Sequence, residues 1–189
     1  MGNVGVRGIG FVAMQAFAVA IAWMLLYWLN EWLFESVAVS QHISWVFLPA
    51  ALRMLAVLLT GWVGVLGLFV GSLITGFYSI DHASVGQVIA LAGVSALAPM
   101  LALIVVGRAL RLHRNLQGFN VSQLLILSLV CAGLTAGLHG LNLVMSEIVP
   151  SFFQAFVPLF VGDLAGTLIM LYLAKWIAEL FGPANAQPT

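Results

Sequence analysis

Charge is scarce in this sequence. Its 189 residues include six Lys/Arg and six Asp/Glu, only 6% of the chain, while 63% are hydrophobic. A soluble domain carries about a quarter charged residues, so a water-soluble globular protein is excluded. The two signs balance and no run of Lys and Arg occurs, which removes the electrostatic footprint of a nucleic-acid partner. Cysteine is nearly absent as well. Cys131 stands alone, so no disulfide can close within the chain, and in its apolar stretch it reads as a small buried hydrophobe.

Catalytic patterns are missing too. There is no carboxylate pair, no His-x-x-x-His, no Cys pair and no Gly-rich phosphate loop followed by Lys. The expectation is a protein that is not an enzyme and takes no cofactor or metal. His42 and His82, near Asp81 or Glu147, make only a weak case for a metal site. No polar stretch is long enough to fold alone, so one domain is expected over 1–181, followed by a short cytoplasmic tail over 182–189 with no output domain. The first apolar segment is too long for a signal-peptide core and ends in no clear small-x-small cleavage site.

What the chain does have is long apolar sequence. A spanning helix needs about 20 mostly apolar residues, and the runs 10–33, 43–60, 62–79, 84–108, 122–146 and 152–176 all qualify. The second and third are short and parted only by Gly61. Runs of this kind are helices, because backbone polar groups in lipid must be satisfied within the segment. The fold class is therefore all-α integral membrane, a six-transmembrane-helix bundle. Arg7, Arg108, Arg111, Arg114 and Lys175 fall on one side of this frame, and Glu31, Glu35, Asp81 and Glu147 on the other. Cytoplasmic loops carry the excess of Lys and Arg, so the orientation predicted is N-in/C-in.

Aromatic residues fit the same frame. Tyr27, Trp28, Trp32, Trp45, Phe77, Tyr78, Phe152 and Phe153 gather at the outer boundary, and Trp62, Phe119 and Trp176 at the inner one. Trp45 stands apart from the belt because, on a continuous second helix, it shares a face with Arg53. Small residues recur at helical spacing at Ala16/Ala20, Ala18/Ala22, Gly67/Gly71/Thr75 and Gly86/Ala90/Gly93. Such patterns let helix backbones approach closely, either within the bundle or against a separate membrane subunit. The cluster Arg108, Arg111, His113 and Arg114 reads as a solvated inner loop, or as a contact for anionic lipid or an acidic partner.

The polar groups at depth are the informative ones. Ionisable residues inside a span usually face the bundle interior and pair with one another. Arg53 shares a face with Pro49 and Val57. Asp163 shares one with Gly166, Thr167 and Met170, while Thr135, His139, Asn142 and Ser146 form a stripe on the fifth helix. At 1.5 Å per residue, Arg53 lies about 14 Å from the outer end, Asp163 about 16 Å and His139 about 12 Å. An Arg53–Asp163 pair would neutralise both charges, as a structural lock or as the centre of a ligand or ion site. His139 reads as an interhelical hydrogen-bonding residue or a proton carrier. With Asn142 and Ser146 it would line a small cavity open to the outside. Pro49, Pro99 and Pro158 are expected to kink their helices and free carbonyls.

Two stretches resemble a known pattern. Leu48-Pro49-Ala50-Ala51-Leu52-Arg53, continuing through Gly61, Gly64, Gly67 and Gly71, is similar to the Pro-x-x-Leu…Gly…Gly-x-x-x-Gly region of bacterial MASE-type membrane sensor domains. Phe160-Val161-Gly162-Asp163-Leu164-Ala165-Gly166 resembles that family's Gly-Asp-x-x-Gly motif. The resemblance covers about half of the chain. It implies a multi-pass sensor of the bacterial inner membrane that binds a small-molecule ligand or a partner membrane subunit, with Pro49, Arg53, Gly162, Asp163 and Gly166 as marked positions. The chain is shorter than the usual eight-span form. In size and topology it is also similar to the substrate-binding subunits of energy-coupling-factor transporters, which bind a vitamin or metal near the outer side and dock on another subunit. A structural accessory of a larger complex is the third expectation, with Gly67, Gly71, Ala18 and Ala22 as its working surface.

Overall fold

The computed structural model describes residues 3–40, 43–79, 84–110 and 121–181. Six α-helices run through them: α1 (Asn3–Phe34), α2 (Pro49–Thr60), α3 (Trp62–Ser79), α4 (Val85–Ala109), α5 (Val121–Met145) and α6 (Phe152–Phe181). Five of these are long and apolar enough to cross a bilayer. The protein is a multi-pass all-α membrane helix bundle. Asp81, His42, His82, Arg111, His113, Arg114, Phe119 and the tail over 182–189 lie outside the described residues.

The exception is α2. Its 12 residues span about 18 Å, against a hydrocarbon core of about 30 Å. This corrects the expected helix over 43–60. After α1 comes a short 3-10 helix, Glu35–Val37, and then β1 (Ala38–Ser40) pairs antiparallel with β2 (Ile43–Ser44). Residues 45–47 continue without helical structure, and Pro49 occupies the first turn of α2. Proline suits that position, because its missing N–H would have had no partner there and its φ is already helical. Pro49 therefore starts a helix and kinks none. Pro99 and Pro158 do lie inside α4 and α6.

Local chemistry punctuates the other elements. Gly61 joins α2 to α3 at φ 60°, ψ −127°, donating its N–H to the Val57 carbonyl at 2.8 Å. Side chains rarely tolerate that backbone region, so glycine is required at this turn. Ser84 caps α4, its hydroxyl accepting the Gln87 N–H at 3.2 Å.

Sequential helices α3 through α6 pack on one another, α1 lies mainly along α3, and α2 sits centrally in contact with all five. Trp23, Ala56, Val57, Leu68, Ala96 and Met100 form one core cluster, and Met54, Ala102, Val106, Leu127 and Cys131 another. Gly67 and Gly71 face α1: a Cβ on Gly67 would lie 2.5 Å from the Ala16 carbonyl, and one on Gly71 3.0 Å from that of Ala20. Their close approach is thus made within the bundle. Ala18 is exposed and Ala22 half-buried. Glu31, Glu35 and Glu147 stand at the end where α1, α3 and α5 finish; Arg108 stands at the other, toward which Lys175 also lies. Trp28, Trp32, Tyr78 and Phe153 at the first end, and Trp62 and Trp176 at the second, are at least half exposed.

Candidate functional site

Arg53 enters from the second turn of α2 and Asp163 from the middle of α6. Arg53 Nη2 donates to Asp163 Oδ1 at 2.5 Å, with the two side chains 2% and 8% exposed. The charges brought together by sequence depth do touch. Charge-assisted bonds of this kind are short and roughly twice as strong as neutral ones, which offsets part of the cost of removing two ions from water.

Aromatic rings hold the cation in place. The guanidinium carbon lies 5.1 Å from the Phe47 ring centroid and 5.9 Å from that of Trp23, contacts worth about 0.5–2 kcal/mol each. The two rings meet edge-on at 6.0 Å. Trp23 Nε1 donates to Thr75 Oγ1 at 3.1 Å, and the Thr75 hydroxyl has the Gly71 carbonyl at 3.1 Å and the Ser72 carbonyl at 3.2 Å. Arg53 Nε is buried without a partner.

The non-helical segment before α2 makes this arrangement possible. Its polar backbone lies at membrane depth, which is tolerated only where protein satisfies it. The Phe47 N–H donates to the Gly162 carbonyl at 3.0 Å, and the Leu48 N–H to Asn30 Oδ1 at 2.8 Å. A Cβ on Gly162 would overlap the Ser44 carbonyl, and one on Gly166 the Phe47 carbonyl. The Gly-Asp-x-x-Gly stretch therefore lets an extended chain lie directly on α6. Asn30 itself is 1% exposed, and its Nδ2 has no partner.

A cavity of about 330 Å³ runs from the end of the bundle carrying Glu31 and Glu35 down to the Arg53–Asp163 pair. Trp23, Tyr27, Glu31 and Glu35 line one wall at four-residue spacing, aromatic below and acidic above. Thr135 and His139 of α5 line it as well, and His139 Nε2 is 3.3 Å from Ser95 Oγ on α4. This matches the size and the mixed apolar and polar character of small-molecule sites.

The remaining residues read from sequence lie elsewhere. Asn142 is half-buried with an unpartnered Oδ1, away from the cavity lining, and Ser146 is exposed beyond the end of α5. Thr167 is buried one turn beyond Asp163, and Pro49 is buried at the start of α2. Neither lines the cavity. Trp45 is 43% exposed on non-helical chain, so it shares no helical face with Arg53. Among the described residues no group of three or more His, Cys, Asp and Glu is placed to hold a metal ion.

Sequence reasoning missed Trp23, Asn30, Phe47, Thr75 and Ser95 as parts of one site. Asn30 carried a signal, as an amide at the end of an apolar helix. The four-residue recurrence from Trp23 to Glu35 was also legible, but Tyr27 reads with the aromatic belt and Glu31 and Glu35 with the outer-side charges. Compared with protein-family models, curated proteins and solved structures, the chain matches none. Nothing ties the bundle to the MASE-type family in particular.

Proposed function

We propose that this protein is a non-enzymatic membrane module that binds a small ligand in the cavity above the Arg53–Asp163 pair and signals through a partner membrane subunit. The observation that carries this reading is the cavity itself, which reaches a buried ion pair in mid-bundle. A purely structural lock needs the pair but not the space beside it. Ionisable residues at this depth are a functional hypothesis by default.

The path from ligand to partner runs through residues 44–48. Phe47 contributes its ring to Arg53 and its amide to Gly162. A ligand that displaces the ring also loads the contact with α6, so occupancy biases the packing of α2 on α6. Placement in a bacterial inner membrane, N-in/C-in, accords with the acidic and basic ends of the bundle.

Native mass spectrometry of gently solubilised protein tests this. The expected result is a small molecule retained by the wild type and lost in Ser72→Leu, which fills the cavity, with helicity unchanged by circular dichroism. A ligand that survives the filling, or a wild type that retains none from any host membrane, overturns the reading. The position of the cavity mouth at one end of the bundle also favours a second reading, a solute-binding subunit of a transporter. Uptake of a labelled solute that depends on a co-expressed ATPase would favour it.

A further inference from the structure

The walls of the cavity say what kind of molecule it takes. Three carboxyl groups, of Glu31, Glu35 and Asp163, line it against the single guanidinium of Arg53, an excess of two acidic groups. Arg53 and Asp163 cancel one another at the floor, so the excess sits at the mouth. Among the described residues no basic side chain pairs with Glu31 or Glu35, and both are exposed. Below them come the rings of Tyr27, Phe47 and Trp23, with Tyr27 edge-on to Phe47 at 6.4 Å between centroids. At the floor, Arg53 is 2% exposed and its Nε donor has no acceptor.

We propose that the ligand is an elongated organic ammonium ion, its cationic end held by Glu31 and Glu35, its apolar body against the aromatic wall, and a hydrogen-bond acceptor at its deeper end. This deepens the binding reading above and rests on it. The length follows from the helix: Trp23 to Glu31 rises about 12 Å. A cleft lined by one sign of charge with low-dielectric walls concentrates the opposite ion and raises its entry rate roughly 10- to 1,000-fold. The aromatic faces attract the same cation. An anion meets the carboxylates first and is excluded.

Ser72→Cys in a Cys131→Ala background tests the charge preference without knowing the ligand. Ser72 lines the cavity, and Cys131 is buried in a separate cluster. Methanethiosulfonate reagents bearing a trimethylammonium, a sulfonate or no charge are applied from the cavity side. The expected result is that the cationic reagent, each rate taken relative to that reagent's rate with a small free thiol, reacts at least about tenfold faster than the anionic one, and that Glu31→Gln with Glu35→Gln removes the difference. Aminohexanol should then protect the thiol better than hexylamine, hexanol or caproate. If the neutral reagent reacts but cation and anion do so equally, or the preference survives the double Gln change, the ammonium assignment is overturned and the cavity reading stands. If protection by aminohexanol is no better than by caproate, the assignment is likewise overturned. If no reagent of any charge reaches the thiol in the folded protein, the cavity reading itself falls.

Discussion

The amide of Phe47 donates to the carbonyl of Gly162 at 3.0 Å, joining non-helical chain to the middle of a membrane-length helix. Gly162 lies about 15 Å into α6 from Phe152, so this bond sits deep in the bundle. Around it are the Leu48–Asn30 bond, the Phe47 ring over Arg53, and the Arg53–Asp163 pair. The chain between α1 and α3 is thus part non-helical segment and part short helix, and the site is built where the two meet.

Glycine at 166 is required by that contact. A Cβ there would overlap the Phe47 carbonyl, whereas a Cβ at Gly137 meets nothing within 4 Å. Gly166→Ala should lower stability by about 1–3 kcal/mol, the usual cost of overpacking, and backbone obstruction argues for the upper end. Gly137→Ala should be neutral or stabilising by up to about 1 kcal/mol. Thermal unfolding in detergent, followed by circular dichroism, compares the two directly.

The ion pair should show strong coupling. Asp163→Asn or Arg53→Gln alone leaves a buried charge uncompensated and should cost about 3–5 kcal/mol. Arg53→Met combined with Asp163→Leu should cost clearly less than the sum of the corresponding single changes. Additive losses in a double-mutant cycle would mean that the two groups do not rely on each other.

The Trp23–Thr75 bond makes an asymmetric prediction. Trp23→Phe leaves Thr75 with the Gly71 and Ser72 carbonyls, so the lost hydrogen bond should cost about 0.5–1.5 kcal/mol, added to the loss of packing from a smaller ring in the core. Thr75→Val instead strands the indole N–H in the core, at about 1–3 kcal/mol. A Trp23→Phe, Thr75→Val double-mutant cycle separates the bond from the packing of the ring: the two losses should be less than additive, and additive losses would contradict the geometry.

Asn30 supplies the acceptor for the Leu48 N–H just before α2. Asn30→Leu leaves that buried donor unmet and should destabilise by about 1–3 kcal/mol. Hydrogen exchange is the sharper readout. The Leu48 amide should lose protection in the variant while amides in the middle of α4 keep theirs.

Much of the architecture was legible because a bilayer imposes a one-dimensional rule. Residues 62–79, 84–108, 122–146 and 152–176 read as spans and form helices close to those limits. Arg53 and Asp163 were legible as partners because charges at one depth in lipid have few alternatives. The segment 43–60 was misread for a physical reason. Apolar sequence signals burial, and burial is shared by a helix and by an extended strand inside the bundle. Pro49 held the deciding signal, since proline opens helices as readily as it bends them.

What the sequence alone determined is the apolar surroundings of each segment, the limits of the spans from residue 62 onward, and the short list of polar groups that must find partners inside. Those follow from transfer free energies, which belong to residues one at a time. Only the tertiary structure decided that Trp23 and Phe47 cover Arg53, that Gly162 and Gly166 receive the chain before α2, and that Glu31 and Glu35 stand over a cavity reaching Asp163. Those depend on which helices are neighbours and on how closely their backbones approach, and neighbour choice comes from packing in three dimensions, which hydropathy along the chain does not encode.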